Sequence, residues 1–215
     1  MTNFDPISLS IALALLALVP TIVVVSTCFL KLAVVLSLVR NALGVQQIPP
    51  NLALYGLALI ISAYIMAPVG QNMMEEVRKR PAATQSVDSL LGAVAVGAEP
   101  MREFLYKHSH PKQRDFFART ARDLWGEELG SKVTEKDFLV VLPSFMISEL
   151  TEAFEIGFLL FLPFVVIDLV VSNILLAMGM MMVSPVMISM PLKLFLFVML
   201  DGWTKLIQGL ILTYN

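Results

Sequence analysis

Three features of this chain predict an all-α membrane protein built from two helical hairpins. Of its 215 residues, 57% are hydrophobic and only 15% charged, against about 25% charged in an ordinary soluble domain. The charges are also crowded together: residues 75–137 hold 11 basic and 11 acidic side chains, and the other 152 residues hold 10. Surface grows too steeply with size for a soluble globule to hide 152 such residues. They lie in a bilayer, or inside an oligomer that covers them equally well. Third, the apolar residues come in long runs that amount to four spanning segments, and these divide the chain into segments 1–74, 75–137 and 138–215.

The first run, 7–30, has no charge over 24 residues. As a helix it spans about 36 Å, more than a hydrocarbon core of about 30 Å. No basic residue precedes it, it is too long for the apolar part of a signal peptide, and it shows no small-residue cleavage site, so it is expected to stay in the mature chain. Lys31 and Arg40 follow. Asn41-Ala-Leu-Gly44 stops the helix and Pro49-Pro50-Asn51 keeps it from resuming. The second run, 52–69, returns across the membrane, which makes 1–74 a helical hairpin.

Residues 75–137 read as a small, solvated helical insert. Segment 80–86 has the composition of a linker. One short amphipathic helix places Pro100 at its first position, and another starts near Pro111. In the second, Phe117, Ala121, Leu124 and Trp125 recur at helical spacing and Gly126 ends it. Thr134-Glu-Lys-Asp137 resembles a capping box ahead of the run that opens at Phe138. Between 156 and 200 only Asp168 and Lys193 are charged. Those 45 residues exceed one crossing, and Gly179 to Pro185 is where they are expected to fold back. Residues 138–215 therefore form the second hairpin, with a methionine-rich turn.

Several function classes are excluded or disfavoured. Net charge is −2 with no basic excess, which argues against a freestanding nucleic-acid binder. Cys28 is the only cysteine, so there is no intrachain disulfide, and its apolar surroundings suggest a buried thiol. His108 and His110 fall short of the three or four ligands zinc needs and read as surface residues. The sequence has no Walker-type phosphate loop, no nucleophile-elbow serine and no histidine in an apolar run, which disfavours ATP hydrolysis and intramembrane catalysis. The amino-terminal flank carries Asp5 and no basic residue, whereas the first loop carries Arg40 with Lys31 close by. That loop is expected in the cytoplasm, with both termini and the insert outside.

Lys31, Glu149, Glu152, Glu155, Asp168 and Lys193 sit in or beside apolar runs. A mid-helix charge facing lipid costs about 2.5–3.5 kcal/mol. Six would exceed the whole stability of an ordinary domain, so they face other helices, water or other subunits. Counting about 1.5 Å per residue from Phe138 and from Pro185 brings Lys193 level with Glu149 or Glu152, and Asp168 level with Lys31. Those are the expected pairs. They either lock helices together or line an ion path, as in an ion-coupled small-solute transporter, although no repeat relates the two hairpins.

Seven of the 13 methionines lie between 178 and 199. In a regular helix Met180, Met181 and Met182 point about 100° apart. In an irregular segment they can share a face, but such backbone is tolerated at membrane depth only when buried in protein or lining a cavity. Core filling and a yielding seal are the two readings of these flexible side chains.

Long motifs resemble the FliP/SctR family of type III secretion systems. They are Thr27-Cys-Phe-Leu-Lys31 leading into Leu38-Val-Arg40-Asn-Ala-Leu-Gly44-Val-Gln-Gln-Ile-Pro-Pro-Asn51, then Pro143-Ser-Phe-Met-Ile-Ser-Glu149-Leu-Thr-Glu-Ala-Phe-Glu155-Ile-Gly-Phe, then Leu162-Pro-Phe-Val-Val-Ile-Asp168-Leu-Val, the Met178 to Pro185 stretch, and Lys193 through Asp201-Gly-Trp203. The resemblance covers residues 20–74 and 138–205; the insert carries little of it, and Ser144 departs from the alanine of the family pattern. Lack of a cleavable leader is similar to the virulence-associated branch rather than the flagellar one. The resemblance implies a bacterial inner-membrane export-gate subunit with its insert in the periplasm. It implies a pentamer joined by two smaller membrane subunits and, less directly, by a large export-gate subunit and the secretion ATPase. The implied role is to conduct unfolded secreted proteins through a helical pore, with Met178, Met180, Met181 and Met182 as its gasket. No cofactor and no catalytic residue is implied. In such an assembly, which lies largely above the bilayer, depth is measured in protein rather than in lipid. An ion-coupled transporter and a passive assembly scaffold are the alternatives.

Overall fold

The computed structural model describes residues 17, 18, 20–45, 47–79 and 96–215, and among them the chain is helical with no strand. The start of the first apolar run and the linker at 80–86 lie outside the described residues. The helices are α1 (Pro20–Ser26), α2 (Phe29–Ala42), α3 (Asn51–Arg78), α4 (Glu99–Lys107), α5 (Pro111–Leu124), α6 (Gly126–Gly130), α7 (Phe138–Ala177), α8 (Pro185–Met199) and α9 (Gly202–Leu212). By length and composition α3 and α7 can each cross a membrane, and the broken pairs α1–α2 and α8–α9 bring the total to as many as four spans. The all-α membrane class read from composition therefore holds. The chain divides into two compact units, Met1–Leu30 with Val69–Met146, and Lys31–Pro68 with Ile147–Asn215.

In the first unit the 7–30 run is not one unbroken helix. It breaks at Thr27 and Cys28, between α1 and α2. The cause is local. The Ser26 hydroxyl donates to the Ile22 carbonyl at 2.6 Å and the Thr27 hydroxyl to the Val23 carbonyl at 2.6 Å. Hydroxyls bonded back in this way compete with the helical ladder and bend it. Cys28, in the break, is fully buried, as its apolar setting suggested.

The insert folds against the start of α7. Leu105 of α4 packs with Val141 and Phe145, and Ala118 and Ala121 of α5 pack with Val133 and Val140. The α5 stripe is narrower than its spacing suggests, because Leu124 and Trp125 are exposed. Gly126 adopts a φ of 73° and turns the chain away at that point. Pro100 is the second residue of α4 rather than the first. The Arg114 guanidinium ties α4 to α5. It donates to the Tyr106 carbonyl at 3.0 Å and to the Ser109 hydroxyl at 3.1 Å, and lies 4.1 Å from the Tyr106 ring centre. Before α7, the Asp137 carboxylate accepts from the Thr134 N–H at 2.8 Å, which is half of the expected capping box.

Gly130 lets α6 return onto α5. A Cβ there would sit 2.7 Å from the Arg122 carbonyl oxygen and 2.8 Å from its Cα. Backbone cannot step aside as a side-chain tip can, so Gly130→Ala is expected to destabilise this unit by about 1–3 kcal/mol. Faster protease cleavage of the insert, compared with an alanine placed at open Gly209, is the measurement.

In the second unit α2 is central: Leu32, Val35, Leu36 and Val39 are all buried. It ends as the sequence indicated, at Ala42, with Gly44 in the left-handed region (φ 76°). Gly157 lets α7 lie close to Leu38, whose side chain would meet any added Cβ. Between α8 and α9 the axis bends by 63°, and Asp201 at the bend has a φ of 51°. The Phe197 ring braces that corner, edge-on to Trp203 at 5.2 Å. Only 11% of the most apolar 18-residue window of α7 is buried. So much open apolar surface requires lipid or other subunits to cover it.

Candidate functional site

The apolar helices hold two ion clusters and a methionine turn, all in the second unit. In the first cluster the Lys31 ammonium of α2 lies 3.0 Å from Glu149 Oε1 and 2.7 Å from Glu152 Oε2, both on α7. The Tyr214 hydroxyl donates to Glu149 Oε2, and its ring lies under the ammonium, 4.0 Å from ring centre to nitrogen. Lys31 is 1% exposed and Glu149 is fully buried. A buried ion cluster is stable only when each charge is met by opposite charge and hydrogen bonds. Here one cation faces two carboxylates, a phenol and an aromatic face.

The second cluster closes the α7–α8 hairpin. Lys193 Nζ lies 2.6 Å from Asp168 Oδ2 and donates to the Ala42 carbonyl at 3.2 Å. The Ser189 hydroxyl donates to Asp168 Oδ1 at 2.5 Å. Ala42 is the last residue of α2, so Lys193 places a positive charge on that helix's negative end.

The expected partners are thus exchanged: Lys31 takes Glu149 and Glu152, and Lys193 takes Asp168. Depth counting misled because α7 runs 40 residues, about 60 Å and twice a hydrocarbon core. Its end, not a bilayer boundary, sets the register of α8. Asp168 lies nine residues before Ala177 and Lys193 eight after Pro185, so the two meet across the hairpin. Glu155 is exposed on α7 and joins neither cluster. Tyr214 and Ser189 are missing from the residues singled out by sequence. Ser189 carried a signal, lying four residues before Lys193 and so on the same helical face. Tyr214 carried none, since only the folding back of α9 brings it to Glu149.

The turn between α7 and α8 is built as the Gly-to-Pro stretch suggested. Gly179 has a φ of 74°. Its N–H bonds to Leu176 O at 3.0 Å and that of Met180 to Leu175 O at 2.9 Å, the Schellman pattern that ends a helix. Pro185 then starts α8 behind Ser184. Met180, Met181 and Met182 lie outside both helices, and all three are exposed, as is Met178. They are therefore not core filler within this chain. The turn can yield to pressure or offer an apolar, polarizable surface.

A family model described as "FliP family" matches residues 12–210. The "Yop proteins translocation protein R" of Yersinia pestis is 51% identical over 211 residues, covering 98% of this chain and 97% of the relative. The "Virulence protein YscR" of Salmonella typhimurium is 45% identical over 216 residues, 98% of each chain. The "Harpin secretion protein HrcR" of Erwinia amylovora is 44% identical, over 99% of this chain and 98% of the relative. Since the match spans every charged residue of both ion clusters, the methionine turn and the insert, this chain belongs to the FliP family.

Proposed function

We propose that several copies of this chain form the channel of a type III secretion export gate, which passes unfolded proteins outward across the bacterial inner membrane, and that Met178, Met180, Met181 and Met182 close it. The observation that carries this reading is the turn between α7 and α8. Four methionines are exposed on a stretch with no charge, pinned at its base by the Asp168–Lys193–Ser189 cluster. Irregular apolar backbone of this kind is stable at membrane depth when it lines a cavity in protein. Thioether side chains can narrow such a cavity and still adapt to a passing chain. The open apolar flanks of α7 and α8 are the surfaces that sister chains and two smaller membrane subunits would cover. The names of the relatives, which speak of translocation, secretion and virulence, support the same assignment. In this reading the insert lies in the periplasm, and this chain has no catalytic role. The driving force comes from partners, with the large export-gate subunit and the secretion ATPase acting at a distance.

The test replaces Met180, Met181 and Met182 together with alanine, in cells that make the partner subunits. The expected result is a several-fold rise in small-ion leakage through the resting membrane, with secretion still proceeding. A leak-free triple variant, or a stalled secretion substrate that crosslinks nowhere along the turn, would point to a passive scaffold.

A further inference from the structure

Among the described residues, two exposed charged side chains on the helices of the second unit belong to neither cluster. Glu155 on α7 and Lys205 on α9 are both exposed, and neither has an ion-pair partner among the described residues. Their surroundings are complementary. Glu155 heads a ridge on α7 continued by Leu159, Leu162 and Val166, all exposed. At about 100° per residue the four share an arc of roughly 60°. Among the described residues Lys205 is the one charged residue lining a cavity of about 260 Å³, whose walls include Val39, Leu160, Phe164, Phe197 and Leu200. The α7 part of that wall is centred roughly 120° around the helix from the ridge. One chain therefore carries an apolar ridge marked by an anion and an apolar hollow marked by a cation, on different faces of the same helix.

We propose that copies of this chain associate through these two faces, the Glu155 ridge of one copy seated in the Lys205 hollow of the next. A ridge and a hollow on separate faces make a heterologous contact, in which each copy both gives and accepts. Pairing the two charges across it relieves each of facing an apolar environment alone, and opposite charges in a nearly apolar patch fix its register. This contact rests on the channel reading, which requires several copies, and names the surface that joins them.

The experiment uses the full chain in bacterial membranes, produced with two distinguishable tags in a Cys28→Ala background. One tagged form carries Glu155→Cys and the other Lys205→Cys. Mild oxidation is expected to give a linked pair bearing both tags. With Cys28 restored, Glu155→Lys alone or Lys205→Glu alone is expected to lower recovery of the oligomer by at least about tenfold, and the two together to restore it. Oligomers that form without the mixed crosslink and ignore both reversals would overturn this contact and leave the channel reading standing. A wild-type chain that stays single alongside its partners would overturn both. An oligomer that is unaffected, while native mass spectrometry shows a bound phospholipid lost on Lys205→Glu, would make the hollow a lipid site and overturn the contact.

Discussion

Lys31→Met is expected to destabilise the second unit by about 3–5 kcal/mol, the usual result of leaving buried charge without its partner. Among the described residues Lys31 is the single cation beside Glu149, which is fully buried. Removing it strands Glu149 with only the Tyr214 hydroxyl and leaves Glu152 a few ångströms away with the same charge. Glu149→Gln is expected to cost less, because the amide oxygen can still accept from Lys31 while its NH2 donates to the Tyr214 hydroxyl, and the amide requires no countercharge. Cys28 provides the readout. It is buried three residues from Lys31, so the rate at which a thiol reagent labels it in detergent reports opening around α2. The expectation fails if Lys31→Met leaves that rate and the unfolding midpoint at the parent values.

The Asp168–Lys193 pair should respond unequally to loss of either partner. Asp168→Ala leaves Lys193, 4% exposed, with the Ala42 carbonyl as its one remaining acceptor among the described residues, and is expected to cost about 3–5 kcal/mol. Lys193→Met leaves Asp168, whose side chain is 35% exposed and still holds Ser189, and should cost less than half as much. Removing both should recover much of the larger loss, since no buried charge is left unmatched. Because this cluster sits at the base of the methionine turn, the sensitive measurement is protease cleavage between α7 and α8, backed by thermal unfolding of the detergent-solubilised chain. Equal effects from the two single substitutions would show that burial does not set their cost.

Much of the architecture was legible along the chain because it depends on local chemistry. Apolar run length decides whether a helix can cross a bilayer, and α3 and α7 satisfy it. Gly44, Gly126 and Gly179 mark their turns because each adopts a positive φ that other residues resist. The break after α1 was missed because Ser26 and Thr27 look harmless in an apolar run until their hydroxyls bond back to Ile22 and Val23. The exposure of Leu124 and Trp125 was missed because helical spacing shows which residues share a face, but not how far the neighbouring helix extends.

From the sequence alone it follows that this is an all-α membrane protein of the FliP/SctR type, with only a few ionisable residues in its greasy helices. The cost of setting a charge against lipid meant that they had to meet other helices, water or other subunits. Which carboxylate meets which lysine was decided only in three dimensions. Ion pairs form between groups brought close in space, and that depended on how far α7 runs before it turns and on α9 folding back to set Tyr214 against Glu149.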